Sequence, residues 1–226
     1  MLGRLRTSPV TTKPRVKICC IASLDEARAA IATGASAVGL VSAMPSGPGV
    51  ITEESIAEIA RRIPPPIGTF LLTSATSADS IIAQQRRCGT NTLQLCDYVE
   101  ASVYRDLRRE LPGIALVQVI HVTGPETIEL ARAAAEHVHA LLLDSGDTSL
   151  PVKLLGGTGR THDWTTSRRI REAVSVPLFL AGGLTAGNVA EAVATVEPFG
   201  VDLCSSVRTD DRLDPTKLQS FFSALQ

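Results

Sequence analysis

Eight short apolar segments, each followed by a longer amphipathic stretch, constrain the fold of this chain more than any other feature of its sequence. They are rich in Val, Ile and Leu, as parallel strands buried on both faces are. The segments are residues 16–20, 37–41, 67–72, 92–96, 115–120, 140–144, 176–181 and 201–204. Regular strand–helix alternation of this kind, with no second compositional region, predicts a single (βα)8 TIM barrel.

Helix start and stop signals fit between these segments. Residues 23–26 (SLDE) have the order of a capping box and Gly34 is a typical helix stop, so a first helix is predicted between them. Asp163 or Thr161 is expected to cap a later helix. A doubly wound open sheet is the alternative fold, but no G-x-G-x-x-G pattern follows the first strand.

Composition and charge exclude several classes of protein. The 22 Lys and Arg residues and 23 Asp and Glu residues give a formal net charge of −1, so the chain lacks the basic excess of a nucleic-acid-binding protein. A hydrophobic fraction of 44% with 20% charged residues is typical of a folded globular chain. No apolar stretch approaches the roughly 18 residues that span a bilayer. We therefore expect no nucleic-acid partner and no membrane insertion.

The cysteines and the N-terminal residues bear on location and domain boundaries. An odd number of cysteines, five, in a long chain argues against a disulfide framework, so reduced thiols and a cytoplasmic protein are expected. Residues 1–15 carry basic and hydroxyl side chains without the apolar region of a signal peptide, and we interpret them as an N-terminal extension. The barrel domain is predicted over residues 16–226.

Polar residues at the ends of the predicted strands are the first candidates for a functional site, because a TIM barrel carries its chemistry there. Side chains alternate along a strand, so Lys17 shares a face with Cys19, and Gln94 shares a face with Cys96. Asp144 ends an otherwise apolar strand, where a carboxylate is costly unless it serves a site. We therefore expect Asp144 to be functional.

Two glycine-rich regions follow the later strands. Residues 156–161 contain three glycines and two threonines, a composition expected of a mobile active-site lid. Gly182 and Gly183 follow the seventh strand, and Ser205 and Ser206 follow the eighth, at the usual phosphate site of this fold. A small phosphorylated molecule is therefore the expected ligand.

These segments resemble the phosphoribosylanthranilate isomerase family of tryptophan biosynthesis. The resemblance is carried by residues 16–19 (VKIC), 93–95 (LQL), 141–145 (LLLDS), 156–164 (GGTGRTHDW) and 180–189 (LAGGLTAGNV). It extends from residue 16 to the last predicted helix. It implies the same (βα)8 barrel that the strand pattern predicts.

The resemblance implies an Amadori rearrangement of a phosphorylated aminoaldose, with Cys19 as general base and Asp144 as general acid. The base is expected to be a thiolate with a pKa near neutrality. Neither a cofactor nor a metal is required, because the protonated imine of the substrate accepts the electrons.

The expected substrate contacts are Lys17, Gln94, Gly156, Gly157, Thr158, Gly159 and Arg160. The expected phosphate contacts are Gly182, Gly183, Ser205 and Ser206. A small phosphorylated sugar is the expected partner of a monomer or homodimer.

The chain departs from the family pattern at several positions around the expected site. Cys20 stands in place of a glycine, and Cys96 stands in place of a histidine. Cys204 replaces a serine and Ser206 replaces a glycine. Gly49 stands in place of the arginine that grips the carboxylate of anthranilate. Introducing an arginine there is therefore expected to improve the use of a carboxylated aglycone.

These departures leave alternatives open. Arg160 or Arg208 could supply the missing cation, the substrate could be another phosphorylated N-glycoside or sugar, or the chain could be a non-catalytic ligand-binding relative. A zinc site is a competing interpretation, because thiolates and imidazole bind Zn²⁺. Its candidate ligands are Cys19, Cys20, Cys96, Cys204 and His121. Strand alternation places Cys20 off the catalytic face, so restoring glycine there is expected to be tolerated.

Overall fold

The computed structural model describes residues 13–146, 152–153, 155 and 159–226. In this part of the chain, eight parallel strands close into a barrel in sequence order, with the first strand paired to the eighth. The strands are β1 (Arg15–Ile18), β2 (Ala37–Val41), β3 (Gly68–Thr73), β4 (Thr92–Leu95), β5 (Ala115–His121), β6 (Ala140–Asp144), β7 (Leu178–Leu180) and β8 (Gly200–Leu203). The predicted TIM barrel is confirmed, and the open sheet is wrong.

Eight α-helices in the described residues accompany the strands. They are α1 (Leu24–Thr33), α2 (Glu53–Ala60), α3 (Ala78–Cys88), α4 (Ala101–Glu110), α5 (Thr127–Ala135), α6 (Trp164–Ala173), α7 (Val189–Val196) and α8 (Pro215–Ala224). Between β8 and α8 lie a 3₁₀ turn (Ser205–Val207) and a hairpin of β9 (Arg208–Thr209) and β10 (Arg212–Leu213). None of the helices in the described part of the chain has the length and apolarity that a bilayer crossing requires.

Helix capping follows the sequence signals with one difference. The Ser23 hydroxyl accepts a hydrogen bond from the Glu26 backbone N–H at 3.2 Å, as a capping box requires. The Glu26 carboxylate instead accepts from the backbone N–H of Ala22 at 2.9 Å. Asp163, rather than Thr161, caps α6 by accepting from two backbone N–H groups of its first turn.

Side-chain alternation along the strands separates two apolar layers. Residues such as Ile18 belong to the larger cluster, which packs the strands against the helices. Residues such as Leu142 and Phe179 belong to a smaller cluster inside the barrel, which also contains Cys19. Because β6 keeps this alternation to its last residue, Asp144 points the same way as Leu142, toward the interior at the carboxyl end of the barrel.

Candidate active site

A cavity opens at the carboxyl ends of the barrel strands, where TIM barrels carry their active sites. The predicted site residues that line it are Cys19, Gln94, Asp144, Gly159, Gly182, Gly183, Ser205 and Ser206. Lys17 is fully buried and lies beneath this lining, and Arg160 lines a neighbouring depression. Gly156, Gly157 and Thr158 lie outside the described residues.

Cys19 directly follows β1, and its side chain is buried among the residues that fill the barrel. Its backbone N–H donates to the Leu203 carbonyl at 2.8 Å, which extends the pairing of β1 with β8 by one residue and fixes the position of the thiol. Burial raises the pKa of this thiol to about 11, and the nearby Lys17 ammonium group opposes the shift without cancelling it. The expectation of a pKa near neutrality is therefore wrong for the free protein.

Lys17 and Asp202 form a buried ion pair next to Cys19. The Nζ of Lys17 lies 2.8 Å from Oδ2 of Asp202, and the two residues are partners in the register of β1 with β8. Burial alone lowers the pKa of the ammonium group, but the Asp202 carboxylate and the Cys19 sulfur raise it above its ordinary value. Lys17 therefore keeps a positive charge beside the thiol, and that charge favours the thiolate.

Gly39, in the middle of β2, makes room for these groups. A Cβ at this position would lie 2.9 Å from Sγ of Cys19 and 3.0 Å from Nζ of Lys17. A glycine in the interior of a strand often marks such a close approach. A glycine within the predicted strand of residues 37–41 is thus a signal of this close approach that the sequence itself carries.

Asp144, the last residue of β6, is half-buried in the cavity wall. Its Oδ1 accepts a hydrogen bond from the Ser145 backbone N–H at 2.7 Å. Burial raises the pKa of the carboxyl group to about 6, although the Ser145 N–H opposes this shift. A group with this pKa is protonated in about one molecule in ten at pH 7, far more than an ordinary carboxyl group, which suits a general acid.

Three cavity residues carry a buried polar atom that has no hydrogen-bond partner among the described residues. These atoms are Oε1 of Gln94, Oδ1 of Asp202 and Oγ of Ser206. Buried polar atoms of folded proteins are nearly always paired, so an unpaired one at a cavity is a candidate for a hydrogen bond to water or to a bound molecule. Ser206 belongs to the 3₁₀ turn after β8, where the sequence predicts phosphate binding.

The loop after β7 packs tightly against the residues that precede α6. Gly183 has a φ of +61°, and a Cβ on it would lie 2.6 Å from the carbonyl carbon of Arg160 and 2.7 Å from the nitrogen of Thr161. The Asn188 side chain holds the same loop by donating from Nδ2 to the Gly183 carbonyl at 3.0 Å. Only glycine fits at position 183, and this loop forms one wall of the cavity.

The structure corrects two predictions about Cys20. Because β1 ends at Ile18 and Cys20 has a φ of +61°, strand alternation does not set the direction of its side chain. That side chain lines the cavity and is joined to Cys204 by a disulfide bond. The expectation of reduced thiols is therefore wrong for Cys20 and Cys204, while Cys19, Cys88 and Cys96 are free. The expectation that Cys20→Gly is tolerated loses its basis, because the change removes this bond.

Two predictions about the missing arginine also change. A Cβ at Gly49 would overlap the Cβ of Cys20 and lie 2.9 Å from its Cα, so an arginine does not fit at position 49. Arg208 is only 9% exposed and donates to the Glu26 carboxylate at 2.9 Å, away from the cavity lining. The ion pair with Glu26 therefore removes Arg208 from the candidates for a ligand contact.

The described part of the loop between β6 and α6 contacts loops on the other side of the cavity. The Lys153 carbonyl accepts from Oγ of Ser46 at 2.7 Å, and the Lys153 Nζ donates to Oδ2 of Asp97 at 2.6 Å. Leu155 packs against the cluster inside the barrel. Because Ser46 and Leu155 both line the cavity, this loop covers part of its opening.

The described residues contain no group of three or more His, Cys, Asp and Glu side chains that could hold a metal ion. Among the suggested zinc ligands, His121 pairs through Nε2 with the Cys96 carbonyl at 3.0 Å. Cys20 and Cys204 are bonded to each other. The zinc interpretation therefore has no support in this part of the chain.

Comparison with known proteins identifies the family. The model of the N-(5'-phosphoribosyl)anthranilate (PRA) isomerase family matches residues 16–224. The chain belongs to this family. Among its relatives, the N-(5'-phosphoribosyl)anthranilate isomerase of Haloferax volcanii is 37% identical, with 93% of this chain and 92% of the relative covered. N-(5'-phosphoribosyl)anthranilate isomerase 2 of Methanosarcina mazei is 35% identical, with 86% and 85% covered.

Solved structures of phosphoribosylanthranilate isomerases share the fold. The Thermotoga maritima isomerase matches with a TM-score of 0.78 and 27% identity, covering 94% of this chain and 98% of the other. An isomerase in complex with reduced 1-(o-carboxyphenylamino)-1-deoxyribulose 5-phosphate matches with a TM-score of 0.75 and 26% identity, at the same coverage. The family resemblance inferred from the sequence motifs is confirmed.

Proposed function

We propose that this chain isomerises N-(5'-phosphoribosyl)anthranilate to 1-(o-carboxyphenylamino)-1-deoxyribulose 5-phosphate, with Asp144 as general acid and Cys19 as general base. One observation carries the proposal: a single cavity is lined by a carboxyl group of raised pKa, a thiol beside a buried ammonium group, and an unpaired serine hydroxyl. The isomerase names of its relatives support it. So does the phosphorylated ligand of one solved relative.

Asp144 begins the reaction as the proton donor. Its carboxyl proton passes to the ring oxygen of the ribose, and the bond between C1 and that oxygen breaks. The electron pair of the aglycone nitrogen forms the C1=N bond of an iminium ion. The Asp144 carboxylate left behind is a negative charge in a partly dehydrated cavity, where it stabilises this cation more than water does.

Cys19 completes the reaction as the proton acceptor. In the free protein its pKa of about 11 keeps the sulfur protonated at neutral pH. The reactive form is therefore the minor fraction of molecules in which Cys19 is already a thiolate, and Lys17 and the cationic iminium both favour that form. The thiolate removes the proton from C2, the C2–H electrons form a C1=C2 bond, and the C1=N electrons return to nitrogen. The resulting enolamine gains a proton at C1 while its C2 hydroxyl group loses one, which gives the C2=O group of the aminoketose.

The 3₁₀ turn and the loop after β7 are the proposed phosphate subsite. Phosphate is expected to be held by the backbone N–H groups of Gly183 and of residues 204–207, with the Ser206 hydroxyl as an added donor.

A hydrogen bond to a charged group contributes about 1.5–3 kcal/mol, so Ser206→Ala is expected to raise KM by about tenfold or more. Steady-state kinetics check this, and Ser223→Ala on the exposed face of α8 is the control. An unchanged KM would remove Ser206 from the subsite.

Growth of a tryptophan auxotroph that lacks this isomerase tests the substrate. Wild type and Cys88→Ala, a change at a buried cysteine outside the cavity, are expected to restore growth, and Cys19→Ser is expected not to. Failure of the wild type to support growth, at good expression, would contradict the proposed substrate.

A related phosphorylated N-glycoside is the second candidate substrate. The observation that favours it is the absence of Arg and Lys from the described lining of the cavity, because anthranilate carries a carboxylate. Good expression without growth of the auxotroph, followed by turnover of an uncharged analogue, would establish this alternative. In either case we propose a cytoplasmic enzyme. We also propose that it is a monomer or a homodimer, and size-exclusion chromatography with light scattering would measure its mass.

A further inference from the structure

We propose that Cys20 and Cys204 form a redox site in the wall of the active-site cavity, and that closing their disulfide with a peroxide increases the affinity for the phosphate of the substrate. The inference about phosphate rests on the proposed function. The existence of the redox pair rests on the positions of the two cysteines alone.

The bond joins the two segments that carry the proposed base and the proposed phosphate subsite. Cys20 directly follows Cys19, and Cys204 directly precedes Ser205 in the 3₁₀ turn. The two cysteines are 184 residues apart in the chain, yet their Cα atoms lie 5.9 Å apart, within the usual range for a disulfide. Both line the cavity. A change at this bond therefore acts directly on the site.

The loop after β2 packs closely against Cys20, one of the two cysteines of this pair. With Cys20 in its present position, a Cβ at Gly49 would overlap its Cβ, so the loop after β2 needs glycine at that point. Positions 20, 49 and 204 are far apart in the chain and meet at one place in the structure.

Cys204 differs from the other four cysteines in accessibility. Cys19, Cys88 and Cys96 are free thiols and are buried, with exposures of 7%, 0% and 2%. Cys204 is half-exposed at the cavity wall, so a small oxidant reaches it first. Cys20 is buried next to it and serves as the resolving thiol.

The oxidation balances with one molecule of hydrogen peroxide. The Cys204 sulfur attacks one peroxide oxygen, the O–O bond breaks, and a sulfenic acid and one water are formed. The Cys20 sulfur then attacks the Cys204 sulfur, the S–O bond breaks, and the hydroxyl leaves as a second water with the Cys20 proton. Two thiols and one peroxide thus give one disulfide and two waters. A dithiol reductant reverses the change by thiol–disulfide exchange.

The bond acts on binding rather than on the chemical step. It links the first residue of the phosphate-binding turn covalently to the segment after β1, so the turn loses less freedom when phosphate binds. Cys19 and Asp144 are untouched by the reaction. We therefore expect reduction to raise KM, and to weaken inorganic phosphate binding, by about threefold or more while kcat changes little.

The experiment compares peroxide-treated and dithiothreitol-reduced protein. Thiols are alkylated after denaturation and mapped by mass spectrometry, inorganic phosphate binding is measured by calorimetry, and KM and kcat are measured separately. We expect five alkylated cysteines in reduced protein, and three in oxidised protein with a linked Cys20–Cys204 peptide pair. The KM values of Cys20→Ser and of Cys204→Ser are each expected to be the same under both conditions, while Cys88→Ala responds as wild type does.

Two results would overturn the proposal. One is oxidised protein in which Cys20 and Cys204 remain alkylatable or in which Cys19 takes part in the bond. The other is equal phosphate affinity in the two redox states. Thiol mapping and phosphate binding do not depend on turnover. A chain that binds phosphate in a redox-dependent way but does not isomerise N-(5'-phosphoribosyl)anthranilate would therefore contradict the proposed function and leave the redox site intact.

Discussion

Replacing Cys19 by serine is expected to lower kcat for N-(5'-phosphoribosyl)anthranilate by about 10²–10⁴-fold, the usual contribution of a general base. A serine hydroxyl has almost the same shape as the thiol, but it is far too weak an acid to supply an anionic base. Asp144→Asn keeps the shape of the acid and removes its transferable proton, so a loss of similar size is expected. Steady-state kinetics on purified protein measure both effects.

The matched control for these variants is Cys88→Ala, since Cys88 is buried in α3 and does not line the cavity. It is expected to keep kcat within about twofold of wild type, whatever its effect on stability. Turnover by Cys19→Ser at the wild-type rate would show that the thiol is not the base. Turnover by Asp144→Asn at the wild-type rate would show that this carboxyl group is not the acid.

Lys17→Met is expected to lower the free energy of unfolding by about 3–5 kcal/mol, because it leaves the Asp202 carboxylate buried without its partner. The side chains of Lys17 and Asp202 are 0% and 7% exposed, so water cannot replace the lost ion pair. Urea denaturation monitored by circular dichroism measures the loss. The double variant Lys17→Met/Asp202→Leu is expected to recover most of the stability, because two apolar side chains pack together and leave no buried charge without a partner.

Activity separates this pair's effect on stability from its effect on the thiol. The double variant is expected to fold but to turn over more slowly than wild type, because no ammonium group then favours the Cys19 thiolate. A destabilisation below about 1 kcal/mol for Lys17→Met would contradict the buried ion pair. Wild-type turnover by a well-folded double variant would contradict its role beside Cys19.

The barrel and the position of Asp144 could be predicted because both depend on local pattern. Apolar runs and helix caps recur along the chain, and strand alternation brings Asp144 into the barrel after Leu142. The same argument failed for Cys20. Its backbone leaves the strand after Ile18 and enters the left-handed region, a change that no periodicity in the sequence reports.

Contacts between β1 and β8, which form only when the barrel closes, could not be predicted from the sequence. The register of β1 with β8 pairs Lys17, an expected substrate contact, with Asp202 in the cavity lining. That register exists only once the barrel has closed, so the two residues, 185 positions apart, carry no local signal of their pairing. The disulfide between Cys20 and Cys204 depends on the same closure. By contrast, the role of Gly39 follows from a glycine inside a strand and could have been anticipated.

The pH dependence of kcat/KM tests the pairing of a thiol base with a carboxyl acid most directly. With pKa values of about 11 for Cys19 and about 6 for Asp144, the reactive form needs a thiolate and a protonated carboxyl group at once. Below pH 6 the rate rises tenfold per pH unit as the thiolate fraction grows. Between pH 6 and 10 the growing thiolate fraction is cancelled by the shrinking carboxyl fraction, so the wild-type profile is flat.

Asp144→Asn removes the carboxyl group that titrates, so its residual kcat/KM is expected to keep rising tenfold per pH unit from pH 6 to 10. Ionisation of the substrate phosphate affects both proteins equally and cancels in their ratio. A steady rise of the variant-to-wild-type ratio across this range is the result that the account predicts. A ratio that stays constant between pH 6 and 10 would contradict it.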